Sequence, residues 1–404
     1  MNEYVGIEYL RRKLGQKQSR VNLRYNYYEM KQVAKEFRIS TPPQLWNWWT
    51  VLGWCGDAVD AVADRLVFRE FDNDIFEINE IFQANNADTF FDSAVLSAAI
   101  SSCCFVYVSK DDYGFPRLQV IDGANATGIV DETTGLLKEG YAILEKDSKS
   151  GRPKIEAHFM SGLTRIYQEG KVTEIPNNVA YPLLVPIIYR PDARRPFGRS
   201  RISRSCMGIV NSAMRTIKRS EISAEFYSFP QKYAVGTSQD ADPLDKWKSA
   251  MSYMIEITKD DEGDKPTLGQ FAQQSMAPHI DHLKMFAALF AGETGLTLDD
   301  LGFVTENPSS AEAIKSSHEK LRLIARKAQR TFGTGFLNVG YIAACLRDDI
   351  SYYRSEFYLS KPKWEPIFEP DASALSSYGD GAIKINQAIP GYLDDKKLRD
   401  LIGW

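Results

Sequence analysis

The chain has 404 residues, 44% of them hydrophobic and 12% aromatic, enough to bury one large core or two to three smaller ones, which excludes a disordered or low-complexity protein. A formal net charge of −4 excludes a globally basic nucleic-acid binder, so any contact with phosphates has to be local. The five cysteines, Cys55, Cys103, Cys104, Cys206 and Cys345, are odd in number and contain no C-x-x-C pair, which argues for buried thiols over disulfides or zinc.

In chain order, no cationic start followed by an apolar stretch precedes Arg11 and Arg12, so the reading has no secretion signal and keeps the chain in the cytoplasm where it is made. From Tyr28 to about Phe71 the pattern is helical, opened by Tyr28, Met30, Val33 and Phe37. Trp46, Trp48, Trp49 and Trp54 follow Pro42 and Pro43 and read as aromatic core between packed helices, in preference to a stacking platform. Val59, Ala63 and Leu66 mark one helix face. The weakly polar run Ala94 to Val108 carries three serines and falls short of the roughly twenty apolar residues of a membrane span.

Between Cys103 and Tyr189 the period shifts to two. Strands are expected at Phe105 to Val108, Leu118 to Ile121, Tyr141 to Leu144, Ile155 to Phe159, Thr164 to Tyr167, Val172 to Ile175 and Leu183 to Tyr189. Turns fall at Asp112 to Gly114, Asp131 to Gly135, Ser148 to Gly151 and Glu169 to Gly170. The result is an antiparallel β region inserted in a helical chain.

Next comes RPDARRPFGRSRISR, which places Arg190, Arg194, Arg195, Arg199, Arg201 and Arg204 at the mouth of a helix over about Ile202 to Phe226. That helix carries Ile202, Cys206, Ile209, Ala213 and Ile217 on one face, with Arg215, Lys218 and Arg219 elsewhere. The cations read equally as a solvated face or as phosphate or subunit contacts. Pro230 to Met276 reads as an α/β insert: strands near Lys232 to Val235 and Ile255 to Thr258, a helix from Pro243 to Tyr253, and an acidic turn from Lys259 to Lys265. A further helix runs from Ala277 to Gly292. GETGLTLDDLGFVTENPSS then reads as a loop. Ser309 and Glu312, spaced as a capping box, open a long helix to about Asp348, in which Gly333, Gly335 and Gly340 predict a kink or break.

The templates for nucleotide binding, the serine elbow and the zinc-protease pair are all absent, so an enzyme is the minority reading and no catalytic residue, cofactor or metal is assigned. His279 and His282 read as structural, and Asp111, Asp112, Asp348 and Asp349 as turn or solvent-facing residues rather than paired acids.

Three segments, RRPFGRSRISRSCMGIVNSAMRTIKRSEISAEFYSFPQKYAVG, HIDHLKMFAALFAGETGLTLDDLGFVTENPSSAEAIKSSHEKL and KPKWEPIFEPDASALSSYGDGAIKINQAIPGYL, resemble the portal proteins of tailed bacteriophages of the siphophage type, in matching order over nearly the whole chain. The resemblance implies an α+β portal fold. Its parts would be a helical and β wing at 1–200, stem helix 1 at 201–228, a clip at 229–276, stem helix 2 at 277–293, a tunnel loop at 294–309, and a long wing helix with a C-terminal wing segment at 310–404. The chain stops at Trp404, so a crown is expected to be short or absent.

Further implications are a homo-oligomeric ring, typically of twelve subunits, at a capsid vertex of a virion assembled in the host cytoplasm. Double-stranded DNA would pass through it, and the terminase large subunit, a head-to-tail adaptor and the major capsid and scaffold proteins would dock on it, with no membrane involved. Terminase, not this chain, would hydrolyse the nucleotide. Leu298, Asp299, Asp300, Phe303 and Glu306 would line the channel, where acidic groups keep affinity for DNA low. Arg194, Arg195, Arg199, Arg201, Arg204, Arg215, Lys218 and Arg219 would contact phosphates or neighbouring subunits. Asp260, Asp261, Glu262 and Asp264 would rim the docking clip. The competing readings are a nucleic-acid-processing enzyme of a mobile element and a different ring-forming connector.

Overall fold

A computed structural model describes residues 5–34, 47–228, 232–235, 267–270, 275–303, 315–368, 372–395 and 397–398. The chain divides into two compact units: the first holds 1–32, 53–207 and 292–404, and the second 33–52 and 208–291.

The first unit opens with helix α1 (Ile7–Tyr28), which buries Leu10, Leu14, Val21 and Tyr27. Helix α2 (Trp54–Ala63), strand β1 (Phe68–Asp72), helix α3 (Ile78–Gln83) and helix α4 (Ala87–Ser101) follow. The helix expected to open at Tyr28 is instead the end of one: Glu29 caps α1, and Met30 takes a left-handed φ of 56°. The expected tryptophan core is also corrected. Trp54 is buried, but Trp48 and Trp49 are 39% and 67% exposed, since residues 47–53 form no helix or strand that would fold them inward; Trp46 lies outside the described residues.

Eight strands come next: β2 (Cys103–Lys110), β3 (Pro116–Ile121), β4 (Ala126–Val130), β5 (Leu137–Lys146), β6 (Pro153–Met160), β7 (Leu163–Gln168), β8 (Lys171–Pro176) and β9 (Leu184–Ile188). They form a three-stranded sheet of order β3-β2-β9 and a five-stranded meander of order β4-β5-β6-β7-β8, antiparallel throughout. All seven expected strands are present, but β4 was not anticipated, since ATGIV lacks clean alternation. Strand β8 is exposed along its whole length, and its Lys171 and Glu174 protect the sheet edge from further pairing. Helix α1 lies on the meander through Leu10, Leu14, Tyr141 and Ile143. Its start is fixed by Glu139, whose carboxylate accepts the Gly6 amide at 3.1 and 3.0 Å and lies 2.5 Å from buried His158 Nε2.

The second unit contains most of helix α5 (Arg204–Ser228), strands β10 (Lys232–Val235) and β11 (Thr267–Gln270), which pair antiparallel, and most of helix α6 (Ala277–Thr294). Strand β10 was expected and β11 was not. The expected helix 243–253, strand 255–258 and acidic turn lie outside the described residues, as does the capping box at Ser309 and Glu312. On α5 the buried face is Cys206, Val210, Ala213 and Met214, rotated slightly from the expected one, with Ile209 and Ile217 half-buried.

Back in the first unit, helix α7 (Glu319–Asp348), strand β12 (Lys361–Trp364) and helix α8 (Ala372–Ala388) complete the chain. Helix α7 is continuous from Glu319 to Asp348, so its glycines do not break it. Its glycines serve close packing. A Cβ on Gly333 would meet Pro362 Cγ at 2.6 Å, one on Gly335 would meet Ile187 Cδ1 at 3.0 Å, and one on Gly340 would meet Ile78 Cδ1 at 3.0 Å. Around Phe336 an aromatic cluster joins both ends of the unit: Phe68 stacks near Phe91 at 4.3 Å, Phe91 near Phe336 at 4.7 Å, and Phe68 near Trp364 at 5.2 Å. Each buried ring contributes on the order of 2–3 kcal/mol by burial. The β1–β12 ladder ties the same ends by backbone hydrogen bonds.

Gly333→Ala tests this packing. The gain in helix propensity of about 1 kcal/mol is outweighed by overpacking of about 1–3 kcal/mol against a rigid proline ring, so a lower midpoint in urea denaturation is expected.

Candidate functional site

The arginine segment between β9 and α5 is built around Asp192 and Gly198. Asp192 Oδ1 accepts the amides of Arg194 and Arg195 at 3.0 and 2.9 Å, and its Oδ2 pairs with Arg199 at 2.7 Å. The Arg199 guanidinium first, and then the two amides, hold the Asp192 carboxyl below the usual carboxylate range. Gly198 adopts φ +71°, and a Cβ there would sit 2.0 Å from the Tyr189 carbonyl oxygen, so only glycine fits. This turn presents Arg194 and Arg195 to solvent.

Arg201 has the opposite fate. It is 6% exposed; its Nε donates to the Ala58 carbonyl at 2.8 Å and its Nη2 to the Thr294 carbonyl at 2.6 Å. Its guanidinium is therefore committed inside the first unit, which leaves it no free face for phosphate. Arg204 and Arg219 are exposed and Arg215 is half-buried, with its Nη2 on Ser212 Oγ. Lys218 is buried and donates to the Trp48 carbonyl at 2.7 Å. His282 Nδ1 lies 3.3 Å from Thr216 Oγ1, and among the described residues no group of His, Cys, Asp and Glu is arranged to hold a metal.

Thr294 to Phe303 is a tight turn containing a 3-10 helix, Asp299–Leu301, closed by Gly302 at φ +84°. Asp300 organises it by accepting the Thr297 amide at 2.7 Å and the Thr297 hydroxyl at 2.9 Å, and it faces His318 Nε2 at 3.2 Å. Burial acts to raise the Asp300 carboxyl, but the Thr297 amide, His318 and the Thr297 hydroxyl together bring it below the usual range. Asp299 and Leu298 stand at the surface, Phe303 is half-buried, and Leu296 and Leu301 are buried anchors. The two acids thus separate into one structural carboxylate and one surface carboxylate. Glu306 and the clip residues Asp260, Asp261, Glu262 and Asp264 lie outside the described residues.

Sequence reasoning missed a basic row on α1: Lys13, Lys17, Arg20 and Arg24, at i, i+4, i+7 and i+11, share one helix face. That spacing was visible, but α1 itself was not expected.

A family model described as phage portal protein, SPP1 Gp6-like, matches residues 16–372. The portal protein of Mycobacterium phage D29 is 24% identical over 345 residues, covering 77% of this chain and 69% of that protein. The portal protein of Mycobacterium phage L5 is 23% identical over 333 residues, covering 76% and 67%. Among solved structures, a chain from the neck of an empty gene transfer agent particle aligns over 87% of this chain and 90% of its own, with 11% identity and a TM-score of 0.46. A chain from the neck of the native particle covers 96% and 99%, with 12% identity and a TM-score of 0.43.

If Arg201 is an internal anchor, Arg201→Ala should leave two buried carbonyls unpaired at a cost of about 2–4 kcal/mol, seen as a lower denaturation midpoint. Arg194→Ala, at the exposed tip, should leave that midpoint unchanged.

Proposed function

The chain belongs to the SPP1 Gp6-like family of phage portal proteins and is a structural, non-enzymatic connector subunit of the virion, and from this premise we propose that it closes into a homo-oligomeric ring through which double-stranded DNA is packaged and ejected. The family match over residues 16–372 carries this reading. In it, 1–200 and 310–404 form the wing, α5 and α6 the stem, 229–276 the clip that docks the terminase large subunit and then the adaptor, and 294–309 the tunnel loop. Twelve subunits, and capsid and scaffold proteins as outer partners, complete the assignment.

Helix α6 supports ring formation physically. Ala287, Phe290 and Ala291 are buried on one side, whereas Met285 and Leu289, on the opposite side, are 45% and 53% exposed. A helix apolar on opposite faces has more to bury than one chain covers. The turn around Asp299 suits a polyanion conduit because its surface carboxylate repels phosphate, so no tight site impedes sliding.

Light scattering on the purified chain should give a ring of several hundred kilodaltons, and Leu289→Glu should shift it to small oligomers; a wild-type monomer at micromolar concentration would sink the reading. In assembled particles, Asp299→Lys should slow packaging at low salt and recover as salt screens the new contact. Equal rates at both salts, with rings intact, would remove this turn from the DNA path.

A further inference from the structure

Among the described residues of the second unit, large apolar side chains stand exposed in two groups: Val33, Trp48, Trp49 and Val51 in the stretch 33–52, and Ile280, Met285 and Leu289 on α6. Helix α5 lies between the groups. Its Thr216 Oγ1 is 3.3 Å from His282 Nδ1 of α6, and its buried Lys218 donates to the Trp48 carbonyl at 2.7 Å. Positions two apart on an α-helix point about 200° from each other, so α6 and the tryptophan stretch flank α5 on nearly opposite sides. The Lys218 ammonium pins the backbone of that stretch while its indoles stay outside. On α6, Met285 and Leu289 each stand two positions from fully buried Ala287, about 200° around the helix, so they face away from the side this chain covers. The two surfaces match in chemistry. Residues 47–52 (NWWTVL) and 285–291 (MFAALFA) contain no ionisable side chain, so neither offers a polyanion or a charged peptide anything to pair with. Each calls for an apolar surface.

We propose that Trp49, with Trp48 and Val51, docks on the Met285 and Leu289 face of α6 in a neighbouring copy of this chain. A neighbouring copy is the occupant because, on the ring reading on which this contact rests, copies join head to tail. That arrangement requires two unlike, complementary patches on different sides of each copy. Like-on-like pairing of the tryptophans would use one patch, stop at a dimer and leave α6 bare. The receiving face suits an indole: Met285 supplies a polarisable thioether, which packs favourably against aromatic rings, and exposed Ala288 beside it leaves room for a flat ring. Tryptophan is also among the residues whose burial most often dominates an interface.

Full-length protein carrying a photoreactive benzophenone side chain in place of that of Trp49 tests this, assembled from a mixture of isotope-labelled and unlabelled chains. After irradiation and digestion, cross-links should join position 49 to peptides of α6. They should include hybrids of labelled with unlabelled peptide, which only contact between copies produces. In light scattering, Trp49→Ala should raise the concentration at half-assembly about 30-fold, and Trp49→Phe, which keeps an aromatic ring, should recover most of that loss. Rings whose cross-links stay within one copy or reach other regions, rings that give no cross-link, or an unchanged half-assembly concentration in Trp49→Ala each overturn the contact and leave the ring reading standing. A wild-type chain that remains monomeric overturns the ring reading and this contact together.

Discussion

One buried guanidinium holds the first unit's far-flung segments in register. Arg201 donates to carbonyls at α2 and at the end of α6, residues 143 and 93 positions away. Around it the segment is stapled further: its own amide donates to the Ala99 carbonyl, Ser200 Oγ to the Ile100 carbonyl, and the Arg199 amide to the Tyr189 carbonyl. A buried charge facing only neutral oxygens bears a desolvation cost of several kcal/mol, which charge-assisted hydrogen bonds of about 1.5–3 kcal/mol each offset. The arrangement therefore specifies geometry more than it adds stability. It determines where α5 starts and where α6 stops, the two helices that we propose form the stem.

That constraint explains why the arginine run is not one functional patch. Arg201 turns inward, Arg199 closes on Asp192, and Arg194 and Arg195 are left outside by the same turn. A similar partition operates at Asp299 and Asp300. Adjacent in sequence, they differ because only Asp300 can reach back to the Thr297 amide and across to His318. Charge reversal at Asp300 would break the turn.

The legible parts of the fold were those with a strong local period. Strands from Phe105 to Tyr189 were readable because hydrophobic alternation and Gly-containing turns coincide, while β4 lacks that alternation. Helix α1 was missed because its apolar residues are sparse and separated by charges, so its face is defined by the sheet beneath it. Gly333, Gly335 and Gly340 predict a kink or break from propensity alone, and propensity says nothing of the close approach of Pro362, Ile187 and Ile78, contacts distant in sequence. Trp48 and Trp49 show the same limit: aromatic content announces burial without saying whether this chain or another provides the cover. The site was legible in residue type and obscure in role, since whether an arginine is an anchor or an outward contact depends on carbonyls that only the fold brings near.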